Sequence, residues 1–329
     1  MSPRLIAFWR FLLGIAVVLT AHYVAASLTP ASLSFRRGEL IYRPLALGLL
    51  LAGFSVLVTG FNGISGNPLA AMGLALRRPW LRDLWAGGLL GAGMVAVAVT
   101  TIAAVGTLTI RVRTSAHAAG LAVLVVLVLA IGAVSEEIAF RGYPFQRLIE
   151  AIGPAAAAST VSLLFGAVHL LNPHASVWGF LNTVLIGLLL SLAYVRTRSL
   201  WLPIAIHFSW NLTLGLIFGL PVSGLTEFSV VTRARAEGPG WLTGGSYGIE
   251  ASGIAVLVIG LGMLLIAALV RQRGPSQTSA APPAGSPGEE VLPLRGEILP
   301  SSRASSDESQ SRQTPGSSSP PLGNDAEPS

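Results

Sequence analysis

The stretch LAVLVVLVLAIGAVSEEIAFR, Leu121–Arg141, decides how this chain is read. From Leu121 to Val134 it holds no charged side chain. Two adjacent carboxylates follow, Glu136 and Glu137, and then a cation, Arg141. One charge at the centre of a membrane helix costs about 2.5–3.5 kcal/mol on insertion scales. Two like charges side by side cost more, or force one to stay protonated. Arg141 lies four residues past Glu137, on the same helical face, and can neutralise it. Glu136 then points about 100° away from Glu137, as adjacent helical residues do. Two readings fit this segment alone. One is a structural ion pair beside a general base. The other is an Arg–Glu clamp at a helix end, with Glu136 facing water.

The rest of the chain supplies the setting. Of 329 residues 52% are hydrophobic and only 11% charged, with a mean hydropathy of +0.67. A soluble domain carries about 25% charged residues. An ordinary soluble globule and bulk disorder are therefore excluded, and a polytopic membrane protein is indicated. The formal charge is +6, and every basic residue is Arg. These arginines are scattered at the ends of apolar segments, which is topology signal. No basic run with interleaved aromatics exists, so nucleic acid is not an expected partner. The absence of Cys excludes disulfides, a thiol nucleophile and thiolate metal sites.

Apolar segments of spanning length predict an all-α bundle of about eight transmembrane helices. They lie near residues 5–28, 44–64, 84–107, 118–135, 154–171, 176–195, 199–220 and 250–270. The chain divides into N-terminal helices (1–79), a helical core (80–220), a polar loop (221–248), a last helix (249–271) and a tail (272–329). The loop reads as a lid or a plain external connection. The tail is rich in Ser, Pro, Gly and Glu and is expected to be disordered. The first segment resembles a signal peptide, with Arg4 before it and Ala25-Ala26-Ser27 near its end. Its length and the internal Arg10 favour a retained helix. Arg4, Arg77, Arg78, Arg82, Arg141, Arg147, Arg196, Arg198, Arg271 and Arg273 fall on the side of the termini. Arg36, Arg37, Arg43, Arg111, Arg113, Arg233 and Arg235 fall on the other. The balance places both termini in the cytoplasm.

Eight acidic side chains precede residue 272, and six of them, Glu39 and Glu250 included, sit in loops or at segment ends. Glu136 and Glu137 are the exceptions. Among the five histidines, His22 and His117 read as interfacial and His174 as a solvated turn residue. His169 and His207 lie inside apolar segments, His169 one turn after Phe165 and His207 one turn before Asn211. A lone intramembrane His is more often a packing residue. Two of them with Asn211 and a Glu pair, on three segments, offset their cost by sharing one polar cavity. There Glu136 can act as general base on water, and His169 can hold the same water. His207 and Asn211 can donate to a developing oxyanion. Glu136, His169 and His207 also equal the three protein ligands of catalytic zinc. The residues leave glutamate–water and metal–water chemistry both open. His-Glu-x-x-His and, in the membrane core, Gly-x-Ser-x-Gly are absent, and Asp83 is the only Asp of the membrane portion.

Three motifs in order carry a resemblance. Glu136-Glu137-Ile-Ala-Phe-Arg141 resembles the EExxxR motif of the CAAX protease and bacteriocin-processing (CPBP, or Abi) intramembrane protease family, which includes the CAAX prenyl protease 2-like enzymes. Phe165-Gly-Ala-Val-His169 is similar to its FxxxH motif and His207-Phe-Ser-Trp-Asn211 to its HxxxN motif. The resemblance covers about residues 80–220. It implies a helical bundle whose polar cavity is reached from the cytoplasmic side. It implies Glu136 and His169 as water-activating residues, Glu137 and Arg141 as supporting residues, and His207 and Asn211 as the oxyanion site. The family is often labelled metalloprotease, yet a metal-free glutamate mechanism is a serious reading for it.

The expected function is an intramembrane endopeptidase, acting on peptide or protein substrates that are membrane-associated or cut near a C-terminus in the CAAX manner, at the bilayer of a bacterial plasma membrane. A proton- or ion-coupled transporter is the first rival, with Glu136, His169 and His207 as relay groups. No inverted repeats or matched broken helices support it. A catalytically idle peptide-binding or immunity protein is the second. Gly87-x-x-x-Gly91 and Gly215-x-x-x-Gly219 read as helix-packing positions.

Overall fold

The computed structural model describes residues 1–62, 67–76, 78–105, 107–113 and 115–273. The tail expected to be disordered lies, from residue 274, outside the described residues, as does Arg77. The described chain is a helical membrane bundle. Its helices are α1 (Pro3–Leu28), α2 (Phe35–Asn62), α3 (Trp80–Val105), α4 (Ala116–Arg141), α5 (Tyr143–Ile152), α6 (Pro154–His169), α7 (Val177–Thr197), α8 (Trp201–Leu212), the single turn α9 (Gly240–Thr243) and α10 (Gly253–Leu269). Five stretches are long and apolar enough to cross a membrane, and α6, α8 with its π-helical extension, and α10 are shorter apolar helices. All eight expected segments are therefore helical.

The helix ends follow local chemistry. Ser2, Ser115, Ser176 and Ser252 each accept a backbone N–H of the first turn and start α1, α4, α7 and α10. Gly153, at φ +84°, separates α5 from α6, and Pro154 opens α6. The segment after Arg141 was expected to be a connection. It is the helix α5, which buries Tyr143, Phe145 and Leu148 and packs along α1. At Gly14 of α1 an added Cβ would stand 3.0 Å from Pro144, so the small residue sets that approach.

Two apolar clusters hold the bundle. One joins α3, α4, α7, α8 and α10 through Val95, Val128, Leu189, Ile206 and Val258. The other joins α1, α2 and α5 to α4, α6 and α7 through Phe11, Phe54, Phe145, Val161 and Tyr194. Gly87 and Gly91 do act as packing residues, between α3 and α8. A Cβ on Gly87 would lie 2.6 Å from the Leu202 carbonyl and 2.7 Å from Ala205 Cβ. Gly87→Val should therefore cost about 1–3 kcal/mol of stability by overpacking. Thermal unfolding in detergent would read this, and an unchanged midpoint would refute the close-contact role. The second glycine pair is different. Gly215 lies under Val222 and Phe228, and Gly219, at φ +69°, turns the chain out of the π-helical turn Thr213–Ile217.

The polar segment 221–248 is more structured than a loop. Strand β1 (Thr107–Val112), after α3, pairs antiparallel with β2 (Thr232–Glu237), Leu108 opposite Ala236 and Ile110 opposite Ala234. An all-helical expectation missed this pair. Leu220, Val222, Phe228, Val230, Leu242, Tyr247 and Ile249 are buried beneath it. Residues 218–252 thus form a cap over one end of the bundle.

Candidate active site

Glu137 and Arg141 are both fully buried, and Arg141 Nη1 donates to Glu137 Oε1 at 3.1 Å. The spacing of four within α4 makes this pair, as expected. Arg141 also donates from Nη2 to the Gly187 carbonyl at 3.1 Å and sits over the Phe165 ring, 4.5 Å from its centroid. Those contacts tie α4 to α6 and α7. Glu137 Oε1 meets His207 Nδ1 at 2.8 Å. A carboxylate can only accept, so Nδ1 carries the proton and His207 Nε2 is turned the other way. There it stands 3.7 Å from Glu136 Oε2. Arg141, Glu137, His207 and Glu136 form one alternating row of charge and hydrogen bond.

Glu136 keeps 28% of its side chain exposed, and it faces a cavity of about 390 Å³. His169, His207 and Asn211 line the same cavity. All four candidate catalytic residues are thus brought together. His169 Nδ1 meets the Phe165 carbonyl at 2.7 Å. That carbonyl only accepts, which leaves Nε2 as the basic nitrogen of a neutral ring. Phe165 touches the His169 ring at 4.4 Å between centroids and the His207 ring edge-on at 6.1 Å. The Phe four residues before the His therefore orients three functional side chains.

Sequence reasoning missed four groups in this cavity. Arg43 was assigned to a loop as topology signal. It lies in α2, paired with Glu39, with Nη1 3.8 Å from Glu136 Oε1. A Cβ on Gly132 would occupy the place of its guanidinium, so that glycine lets Arg43 reach α4. His22 was read as interfacial, yet it lines the cavity and its Nδ1 meets the Tyr42 hydroxyl at 2.6 Å. Glu250 was placed at a segment end. It lines the cavity from the cap, where Trp210 Nε1 donates to Oε1 at 2.9 Å and the Ser223 backbone N–H donates to Oε2. Asn182 of α7 holds the same turn, donating to the Glu250 and Ser252 carbonyls at 2.9 and 2.8 Å.

Burial pushes the Glu250 carboxyl above the usual carboxylate range, against the opposing pull of its hydrogen bonds from Ser223 and Trp210. A carboxyl raised on folding binds more protons folded than unfolded, so its contribution to stability falls as pH rises through that window. Relative to Glu250→Gln, the parent should lose thermal stability as pH rises above about 4.5 and level off once the folded carboxyl is ionised. Parallel pH profiles of the two unfolding midpoints would remove the titration argument.

Glu136, His169 and His207, the three residues read as possible metal ligands, line this one cavity. Among the described residues no group of three His, Asp or Glu side chains is placed to hold a metal ion. His207 Nδ1 is held by Glu137, which leaves its Nε2 free, and the Arg43 guanidinium stands beside Glu136, where its charge opposes a dication.

The cavity also has a side. It is lined by Val18, Leu19 and His22 near the end of α1, by Tyr42 and Arg43 near the start of α2, and by Trp210 and Asn211 at the end of α8. The cap closes that end of the bundle. Pro3 of α1 and Leu269 of α10 lie at the opposite end, where Arg273 binds Asp83 at the start of α3 with both guanidinium nitrogens at 2.6 and 2.7 Å.

Residues 118–213 match the family model described as Rce1-like, type II CAAX prenyl endopeptidase. No curated protein and no solved structure matches the chain. The match spans all three motifs, from the middle of the first turn of α4 to the start of the π-helical turn after α8. It supports the CAAX protease family and, at that level, a membrane endopeptidase. Arg43, His22, Tyr42 and Glu250 lie outside the matched segment.

Proposed function

We propose that this protein is an intramembrane endopeptidase in which Glu136 activates water without a metal. The observation that carries the reading is the placement of Glu136. It is an accessible carboxylate in a membrane cavity, beside a buried Arg141–Glu137–His207 row. A general base needs access to water and neighbours that hold it in place. Glu136 takes a proton from water, and the resulting hydroxide attacks the scissile carbonyl. His169 Nε2 is the second basic atom available to hold that water. His207 Nε2, when protonated, and the Asn211 amide donate to the oxyanion, with Glu137 supplying the counter-charge to His207. The proton then passes to the leaving amine and the C–N bond breaks.

The arginine balance favours the Pro3–Leu269 end as the cytoplasmic one. With Arg141 and Arg43 moved inside the bundle, Arg4, Arg78, Arg82, Arg147, Arg196, Arg198, Arg271 and Arg273 remain at that end. Arg36, Arg37, Arg111, Arg113, Arg233 and Arg235 remain at the cap end. This orientation puts the chamber in the extracytoplasmic half of the membrane.

The deciding experiment is digestion of a mixed library of membrane-proximal and C-terminal peptides by the purified, detergent-solubilised protein. Mass spectrometry reads the products, with Glu136→Gln in parallel. Products made by the parent alone support the protease. No difference between two folded proteins across the library transfers the weight to a transporter.

A further inference from the structure

The cap supplies part of the cavity wall. Val222, Ser223, Leu225, Phe228 and Glu250 of the cap all line it, and hydrogen bonds from Trp210 and Asn182 pin the Glu250 turn over α8 and α7. Its flank is different. Leu19 of α1 and Val168 of α6 line the cavity while staying 66% and 53% exposed on the outer face of the bundle. That face is one that lipid covers, because the neighbouring Leu163, Leu164 and Leu171 are exposed leucines on a membrane helix or just past its end. Side chains that touch both the cavity and the lipid face mark where the wall is open.

We propose that the chamber is entered sideways, through a portal between α1 and α6 rimmed by Leu19 and Val168. Its substrate is then an apolar segment already embedded in the half of the bilayer next to the cap, with the scissile bond at the level of Glu136. The rim is apolar and the polar groups lie behind it. A lipid-embedded chain crosses such a rim without losing hydration, whereas a charged soluble peptide must shed water first. The nature of the substrate rests on the hydrolase reading. The route does not.

The test uses no substrate. The chain holds no cysteine, so Asn211→Cys places a single thiol in the cavity wall. The full-length variant is reconstituted in phosphatidylcholine vesicles and labelled with either a lipid-partitioning pyrene maleimide or a sulfonated maleimide confined to water. Thr226→Cys on the cap normalises the two reagents for intrinsic rate. A lateral portal predicts that the lipid-borne reagent labels residue 211 at least ~10-fold faster than the sulfonated one after normalisation, as bilayer partitioning delivers it to the rim. Adding Leu19→Trp and Val168→Trp should cut the lipid-borne rate several-fold and leave the sulfonated rate unchanged. Both positions face outward, so the larger rings have room; if the pair still disturbs folding, each single Trp variant carries the same prediction. Equal normalised rates, or no effect of folded rim variants, would overturn the portal and indicate a mouth through the cap. Either result leaves the protease assay to stand or fall alone.

Discussion

Glu136→Gln should abolish measurable peptide hydrolysis while leaving the fold intact. The amide matches the carboxylate in size and cannot take a proton from water. Loss of a positioned general base costs about 10²–10⁴-fold in rate. The carboxylate here is only partly exposed, with Arg43 Nη1 at 3.8 Å and His207 Nε2 at 3.7 Å, and neither contact is a short hydrogen bond on which packing depends. The variant should therefore purify, unfold at the parent's temperature and still bind substrate. Rates of product formation by mass spectrometry check the claim. A folded variant that keeps a tenth of the parental rate would remove Glu136 from the role of base. A transporter predicts another pattern, in which the same change blocks ion coupling and no peptide is cut by either protein.

What the residues disclosed in advance was local. Glu137 and Arg141 meet because four residues make one helical turn, and Phe165 and His169 meet for the same reason. His207 and Asn211 fall on one face by that spacing too. The expectation that these pieces share a cavity rested on the cost of isolated polar groups in lipid, and the cavity does gather them. The groups that were missed arrive through long-range packing. Arg43 sits near the start of an apolar helix, where an arginine ordinarily marks a membrane boundary. Only the packing of α2 on α4, at a glycine without a side chain, turns it inward. Glu250 precedes α10 in sequence, and its burial depends on a cap whose β1 and β2 are drawn from connections more than a hundred residues apart. No periodicity within either connection announces that pairing.

Arg141→Ala should be the most destabilising single change in the site. Glu137 has no exposed surface, and its charge is balanced by Arg141 at 3.1 Å, with His207 on the same oxygen. Removing one partner of a buried pair costs about 3–5 kcal/mol, mostly from the uncompensated charge left behind. The guanidinium also holds the Gly187 carbonyl and covers Phe165, so its loss frees α6 and α7 together with the ring that orients His169 and His207. Reversible unfolding in mixed micelles would give the stability change directly. A second variant separates charge from packing. In Glu137→Leu/Arg141→Met both charges go and volume is kept, and buried pairs replaced in this way are often neutral or stabilised. The double variant should therefore recover most of the stability lost in Arg141→Ala. It should not recover hydrolysis, because His207 Nδ1 then has no carboxylate to fix its tautomer. If Arg141→Ala unfolds like the parent, the ion pair is not what holds α4 against α6 and α7. If the double variant is both stable and active, Glu137 acts only as the partner of Arg141, and the row of groups leading to Glu136 ends at His207.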